Sequence, residues 1–370
     1  MGQIIGPKPS SRYNPPVPKG EYLQYGGQAI IEGVMMRSPR FFSVAVRAPN
    51  GQVVLQTEAL EKNWIGRQRW LKWPFLRGTL ALLDAMALGY RALKFSANVQ
   101  LDSRYQPPAA VDGADAAATS ASASAAAGDA QPLSSPVATA AVPVAPVVGG
   151  DSVYSVQIGL TLVVAMALGL FIFVFLPNLI AERAAIAQSD TVKNLVTGLI
   201  KIVFFLGYIW AIGLLPDIKR LFRYHGAEHK AINTLEDDQE LTIDNCRRHT
   251  RLHPRCGTSF AIVVLIVSLI VFTPLLRYPL GTHHLAIVNV SIRVLAEIVI
   301  LPIVAGLSYE LIRLAGKLKT SAVVTALFYP GLMTQYLTTG EPADDQTEVA
   351  LLALRACVDA EQRGLQPATG

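Results

Sequence analysis

Hydrophobic positions along this chain follow three successive rhythms. Between 21 and 60 they alternate with polar ones, as in "FFSVAVRAPNGQVVLQTEAL" around Pro49-Asn50-Gly51. An Asn-Gly pair between β-branched runs predicts a hairpin. The preceding "YGGQAIIEGVMMRSPR" offers Gly26, Gly27 and Gly33 where the backbone can turn tightly. From 61 to 105 the apolar period becomes helical, but Arg77, Asp84, Arg91 and Lys94 interrupt it. That pattern predicts an amphipathic helix lying at a membrane surface or packed on a bundle, not a span. From 151 to 316 the rhythm gives way to long uncharged runs.

Four such runs, at about 156–176, 192–215, 259–276 and 292–312, are long enough to cross ~30 Å of hydrocarbon. Lys201 interrupts the second and Glu297 the fourth. A lysine there either snorkels to the interface or faces the bundle. Residues 317–340 are apolar but broken by Pro330 and Gly331, which predicts a re-entrant or interfacial segment. Residues 341–370 predict a C-terminal amphipathic helix with Asp344 and Asp345 in its first turn, where the helix dipole favours negative charge. The Ala/Ser/Pro/Val stretch of 106–150 is expected to be a disordered linker. Residues 1–20 read as a polar, proline-rich flexible tail without a cleavable signal peptide. The fold expected is a mainly α membrane protein. It comprises a four-span helical bundle, a small N-terminal β-hairpin module and cytoplasmic amphipathic helices.

Composition agrees: only 16% of the 370 residues are charged, against about 25% in soluble domains. The net charge is +5, but its distribution matters more. Lys219, Arg220, Arg223, Lys230, Arg247, Arg248, Arg251 and Arg255 crowd the 217–258 segment between the second and third spans. The loops after spans one and three hold little beyond Arg183 and Arg277. The positive-inside rule therefore puts that loop and both termini in the cytoplasm of a multi-pass inner-membrane protein. Because topology accounts for the basic residues, the lipid bilayer is the expected partner and nucleic acid is not. Three cysteines without framework spacing argue against disulfides.

The chemistry-bearing residues collect in the same loop. Four of six histidines (His225, His229, His249, His253) and two of three cysteines (Cys246, Cys256) fall there. In "RYHGAEHKAI", His225, Glu228 and His229 stand at i, i+3 and i+4 and share one helical face. Two histidines so spaced can grip one zinc or other divalent ion, and Glu228 can ligate it or act as general base. "LHPRCGTSF" supplies His253 and Cys256 on a turn at the mouth of the third span. Cys246 and His249 flank an arginine pair in a solvated stretch and stay outside the set. Glu32 and Glu310 are the other candidate carboxylates, and Gln335 is a weaker one. Against a metal stands the plain alternative of a basic loop meeting lipid phosphate.

Six ordered stretches, "GGQAIIEGVMMRSP", "PFLRGTLAL", "YHGAEHKAI", "LHPRCGTSF", "AGLSYELIRLAGK" and "LTTGEPADDQTEVA", resemble the YqhQ-like family of bacterial integral membrane proteins. That family is a domain of unknown function, described as predicted metal-dependent enzymes. The resemblance implies a cytoplasmic-membrane location and a metal; it names no substrate. Gly340 stands where an arginine is expected, which weighs against anion binding at that corner. Two function classes follow: a metal-dependent hydrolase using Glu228, or a non-enzymatic assembly factor or transporter with a structural metal site. A structural site would be closed by four protein ligands and a catalytic one left open; substrate and oligomeric state stay open.

Overall fold

The alternating stretch folds as a four-stranded antiparallel meander: β1 (Gly26–Ile30), β2 (Gly33–Arg37), β3 (Phe41–Arg47) and β4 (Val53–Ala59), in that spatial order. The computed structural model describes residues 25–60, 76–107, 152–183, 189–275, 285–317 and 322–363. The expected tail at 1–20, nearly all of the 106–150 linker and the Arg277 loop lie outside them. Gly51, at φ +86°, makes the β3–β4 turn, as Asn50-Gly51 predicts. The β1–β2 turn is only Ile31-Glu32, and Glu32 adopts φ 53°.

β3 is buried along nearly its whole length because both faces of the sheet are covered. Alternation sends Val34, Met36 and Ala45 to one side, where they pack with Tyr224, Ala227, Leu351 and Leu354. Met35, Val44 and Val46 go to the other, against Leu88, Ala92 and Val99. The helix on that second side is α1 (Leu76–Leu101). Its start also touches the membrane bundle, where Gly78 packs on Tyr309 and Thr79 donates to the Pro302 carbonyl at 2.9 Å.

The bundle comprises α2 (Ser152–Leu170), continued through a π-helical turn at Phe171–Phe175 into α3 (Leu176–Arg183), then α4 (Asp190–Ile212), α7 (Gly257–Leu275) and α8 (Ala286–Lys317). Four stretches of the described residues are long and apolar enough to cross a membrane: Val163–Arg183, Asp190–Ile212, Gly257–Leu275 and Ala286–Leu314. Leu199, Val203, Leu295 and Val299 leave more than half their surface uncovered by protein, which suits hydrocarbon contact. Lys201 faces inward. Its Nζ lies 2.6 Å from Glu297 Oε2, and Asn178 donates to Glu297 Oε1 at 3.2 Å. In a bilayer the alternative to such pairing is an unpaired charge in hydrocarbon.

Between α4 and α7 the chain forms α5 (Pro216–Glu236) and the short α6 (Ile243–Arg248). Pro216 opens α5, where its missing N–H is no loss. After α8, α9 (Ala322–Thr338) runs through Pro330 without ending and packs along α7. α10 (Asp344–Arg363) is buried nearly all round, wedged between α5 and the sheet. Sheet, α5, α6 and α10 thus share one hydrophobic core at one end of the bundle.

Candidate metal centre

α5 is polar and exposed in its first turn and buried from Tyr224 to Leu235, so its two ends meet different surroundings. Its 225/229 face looks toward two segments that the membrane helices hold in place. One is the 251–256 turn leading into α7; the other is the C-terminal end of α9.

Both histidines are oriented through their Nδ1 atoms. His225 Nδ1 lies 2.8 Å from the Thr338 carbonyl, and His229 Nδ1 lies 2.5 Å from the Arg251 carbonyl. A carbonyl only accepts, so each Nδ1 carries a proton, and in the neutral ring Nε2 is the nitrogen with the free lone pair. That is the arrangement by which a backbone oxygen orients an imidazole for a metal. His225 Nε2 reaches 3.2 Å from Cys256 Sγ. The rings of His225 and His229 meet edge to face at 4.4 Å between centroids.

Cys256 stands immediately before α7, and its carbonyl accepts from the Phe260 N–H at 3.2 Å. Thr258 N–H points at its sulfur at 3.5 Å, and Thr258 Oγ1 lies 3.2 Å away. One ligand atom each from His225, His229 and Cys256 lies within 4.8 Å of the others. Bond lengths of zinc sites place such atoms roughly 3.3–3.6 Å apart, so small side-chain rotations would close the set on an ion.

Glu228 sits beside this group, with Oε2 3.9 Å from His225 Nε2 and the residue only 4% exposed. Burial pushes its carboxyl above the usual range, opposed by His225, His253 and the Gly27 N–H. Gly27 lies inside β1, not at a turn. A Cβ there would come within 2.7 Å of Glu228 Cγ, so the glycine is the space the carboxylate occupies. Burial also lowers the pKa of His229, with Cys256 acting in the opposite direction. The neutral imidazole, the form that binds metal, is thereby favoured.

The structure does not bring His253 into the group. Its ring lies 5.6 Å from that of His229, with Nε2 3.4 Å from Glu236. Glu32 lies on another side of α5, where Arg220 grips both its oxygens and Tyr224 donates at 3.2 Å. Glu310 is partly buried on α8, outside the group. His249 sits near Asp237 and Gln239, and Cys246 accepts from Thr234 Oγ1 at 3.3 Å. Gln335, a weak candidate by sequence, is fully buried and grips the turn. It accepts from the His253 N–H at 2.8 Å and donates to the His253 carbonyl and Ser259 Oγ, both at 2.7 Å. A lone amide within an apolar run was the only signal for it.

Four candidate spans and a His/His/Cys group in a sheet-backed domain at one end define a helical membrane protein with a possible metal centre. Residues 73–360 match the family described as protein of unknown function (DUF1385), and the chain belongs to that family. It is 32% identical over 331 residues to the uncharacterized protein YqhQ of Bacillus subtilis (strain 168), covering 88% of this chain and 90% of that one. No solved structure matches the chain.

Proposed function

We propose that the protein is a metal-dependent hydrolase of the inner membrane, with one zinc-like ion held by His225, His229 and Cys256 at the cytoplasmic face. The observation that carries this reading is the pair of Nδ1–carbonyl contacts, from His225 to Thr338 and from His229 to Arg251. They leave two Nε2 lone pairs beside the Cys256 sulfur. Three protein donors leave a fourth position open, the mark of a catalytic rather than structural site. A bound ion would supply Lewis acidity there, polarising a carbonyl or phosphoryl oxygen and acidifying water. Glu228 would take the proton from the attacking water, since a carboxyl raised by burial holds a proton better near neutral pH. His253, paired with Glu236, would steady the turn.

The near-complete burial of His229, Cys256 and Glu228 favours a second reading, a closed structural site in a non-enzymatic membrane protein. Metal analysis of purified protein separates the two. Stoichiometric metal in the wild type, lost in His225→Ala, supports a site of either kind. Glu228→Gln that keeps the metal and loses function supports the hydrolase. An absence of metal from wild-type protein refutes both.

A further inference from the structure

Four cations of the 217–258 segment already hold a carboxylate. Arg220 pairs with Glu32, Lys230 with Glu341, Arg247 with Asp344 and Arg255 with Glu236. Lys219, Arg223, Arg248 and Arg251 are different: among the described residues no carboxylate lies within 4 Å of any of them, and of these four Arg248 stands apart on α6. Lys219 and Arg223 stand at i and i+4 on the exposed start of α5, directly after the span α4. Arg251 lies over the ring of Tyr336, 5.6 Å from its centroid.

The two arginines flank the end of α9, the element that orients His225. Arg251 covers Tyr336, while Arg223 packs on Gly340, whose Cβ, if it had one, would lie 2.9 Å from Arg223 Cγ. Thr338, between those positions in the chain, gives its carbonyl to His225, and the Arg251 carbonyl holds His229. Arg251 thus both aims His229 and carries a charge without a carboxylate, while Arg223 packs two residues beyond the carbonyl that aims His225. The same stretch exposes Tyr336 and Leu337, and the turn between α4 and α5 exposes Leu214 and Leu215. An exposed tyrosine, exposed leucines and unpaired cations beside the ends of α4 and α9 match the headgroup layer of a bilayer.

We propose that Arg223 and Arg251, supported by Lys219, bind the phosphate of an anionic phospholipid headgroup beside the His225/His229/Cys256 centre. Where that centre is a hydrolase, such a lipid is its substrate class; only this last step rests on the functional reading above. Gly340 leaves room for the Arg223 stem, so that the charge at this corner comes from α5.

The test uses full-length protein in neutral detergent, titrated with short-chain phosphatidylglycerol, phosphatidylcholine of the same chain length, or glycerol phosphate. Thermal unfolding and metal content are read in parallel. Phosphatidylglycerol should raise the midpoint, and the other two should not. Arg223→Gln and Arg251→Gln should each weaken the response roughly fivefold, and Arg251→Lys should retain most of it. Arg223 is exposed, so its variant tests the idea even where Arg251→Gln fails to fold. An equal response to phosphatidylcholine or to glycerol phosphate, or unchanged affinity in the arginine variants, would overturn the proposal. His225→Ala should lose metal yet keep the phosphatidylglycerol response; a wild type without metal that still responds removes the metal reading and leaves the lipid site standing.

Discussion

Glu228 owes its position to a residue that lacks a side chain. Gly27 leaves the volume for the carboxylate and donates its N–H to it, so adding one methyl group both crowds and displaces the acid. Gly27→Ala should cost about 1–3 kcal/mol, as overpacking does, read as a lower midpoint of thermal unfolding. Metal content should survive, since the added methyl group meets Glu228 and the Met35 carbonyl first. Loss of the metal together with unchanged stability would mean that Glu228 is a ligand and not a neighbour. Glycine pairs ordinarily signal turns, so the sequence hid this use of one; it became visible only when β1 was found lying along α5.

At the scale of elements, α10 is joined to the sheet by more than its apolar face. Ser38 donates to Glu361 Oε2 at 2.7 Å, and Arg40 reaches Oε1 at 2.6 Å. Burial pushes the Glu361 carboxyl upward, but these partners outweigh it and hold the group below the ordinary value of 4.5. A depressed folded value means that the unfolded chain binds protons first as pH falls. The stabilisation is therefore complete above 4.5 and is lost as pH drops through the lower folded value. Unfolding midpoints of the wild type should fall over that acid range, and Glu361→Gln should flatten the fall. A variant as acid-sensitive as the wild type would show that the contact contributes nothing. The amphipathic pattern of 341–370 marks a helix but leaves its partner open. That partner, a sheet some 300 residues earlier, depends on the antiparallel register of β2 and β3.

For the whole molecule, the Lys201–Glu297 pair ties α4 to α8 inside the bundle, with Asn178 from α3 as a third hand. Breaking a buried pair on one side leaves a bare charge, which costs about 3–5 kcal/mol. Glu297→Gln alone should therefore destabilise the protein strongly in detergent, and Lys201→Met added to it should recover much of the loss. Additive losses in the double variant would show that the two groups do not interact. The shared core of the sheet, α5 and α10 requires residues 25–60, 216–256 and 344–363 to lie on one side of the membrane. The charge asymmetry of the loops leads us to propose that this side is the cytoplasmic one. Single cysteines placed at Asn50 and Asp238 should thus share one labelling pattern, blocked to impermeant reagents from outside in intact cells. Labelling of either from outside would reverse the orientation.

Local pattern by itself determined much of this. Uncharged runs of bilayer length specify spans wherever they occur, because no other solvent satisfies them. Asn50-Gly51 specifies its turn, and the spacing of His225, Glu228 and His229 specifies a shared face once the segment is helical. The sequence could not say that Lys201 turns inward, since snorkelling and pairing differ only in what stands opposite. Nor could it choose among the donors of the 253–256 turn. Cys256 faces His225 while the His253 imidazole turns to Glu236, because Gln335 clamps the backbone of that turn from α9. Those choices depend on contacts across many tens of residues, and such contacts exist only after the helices have packed.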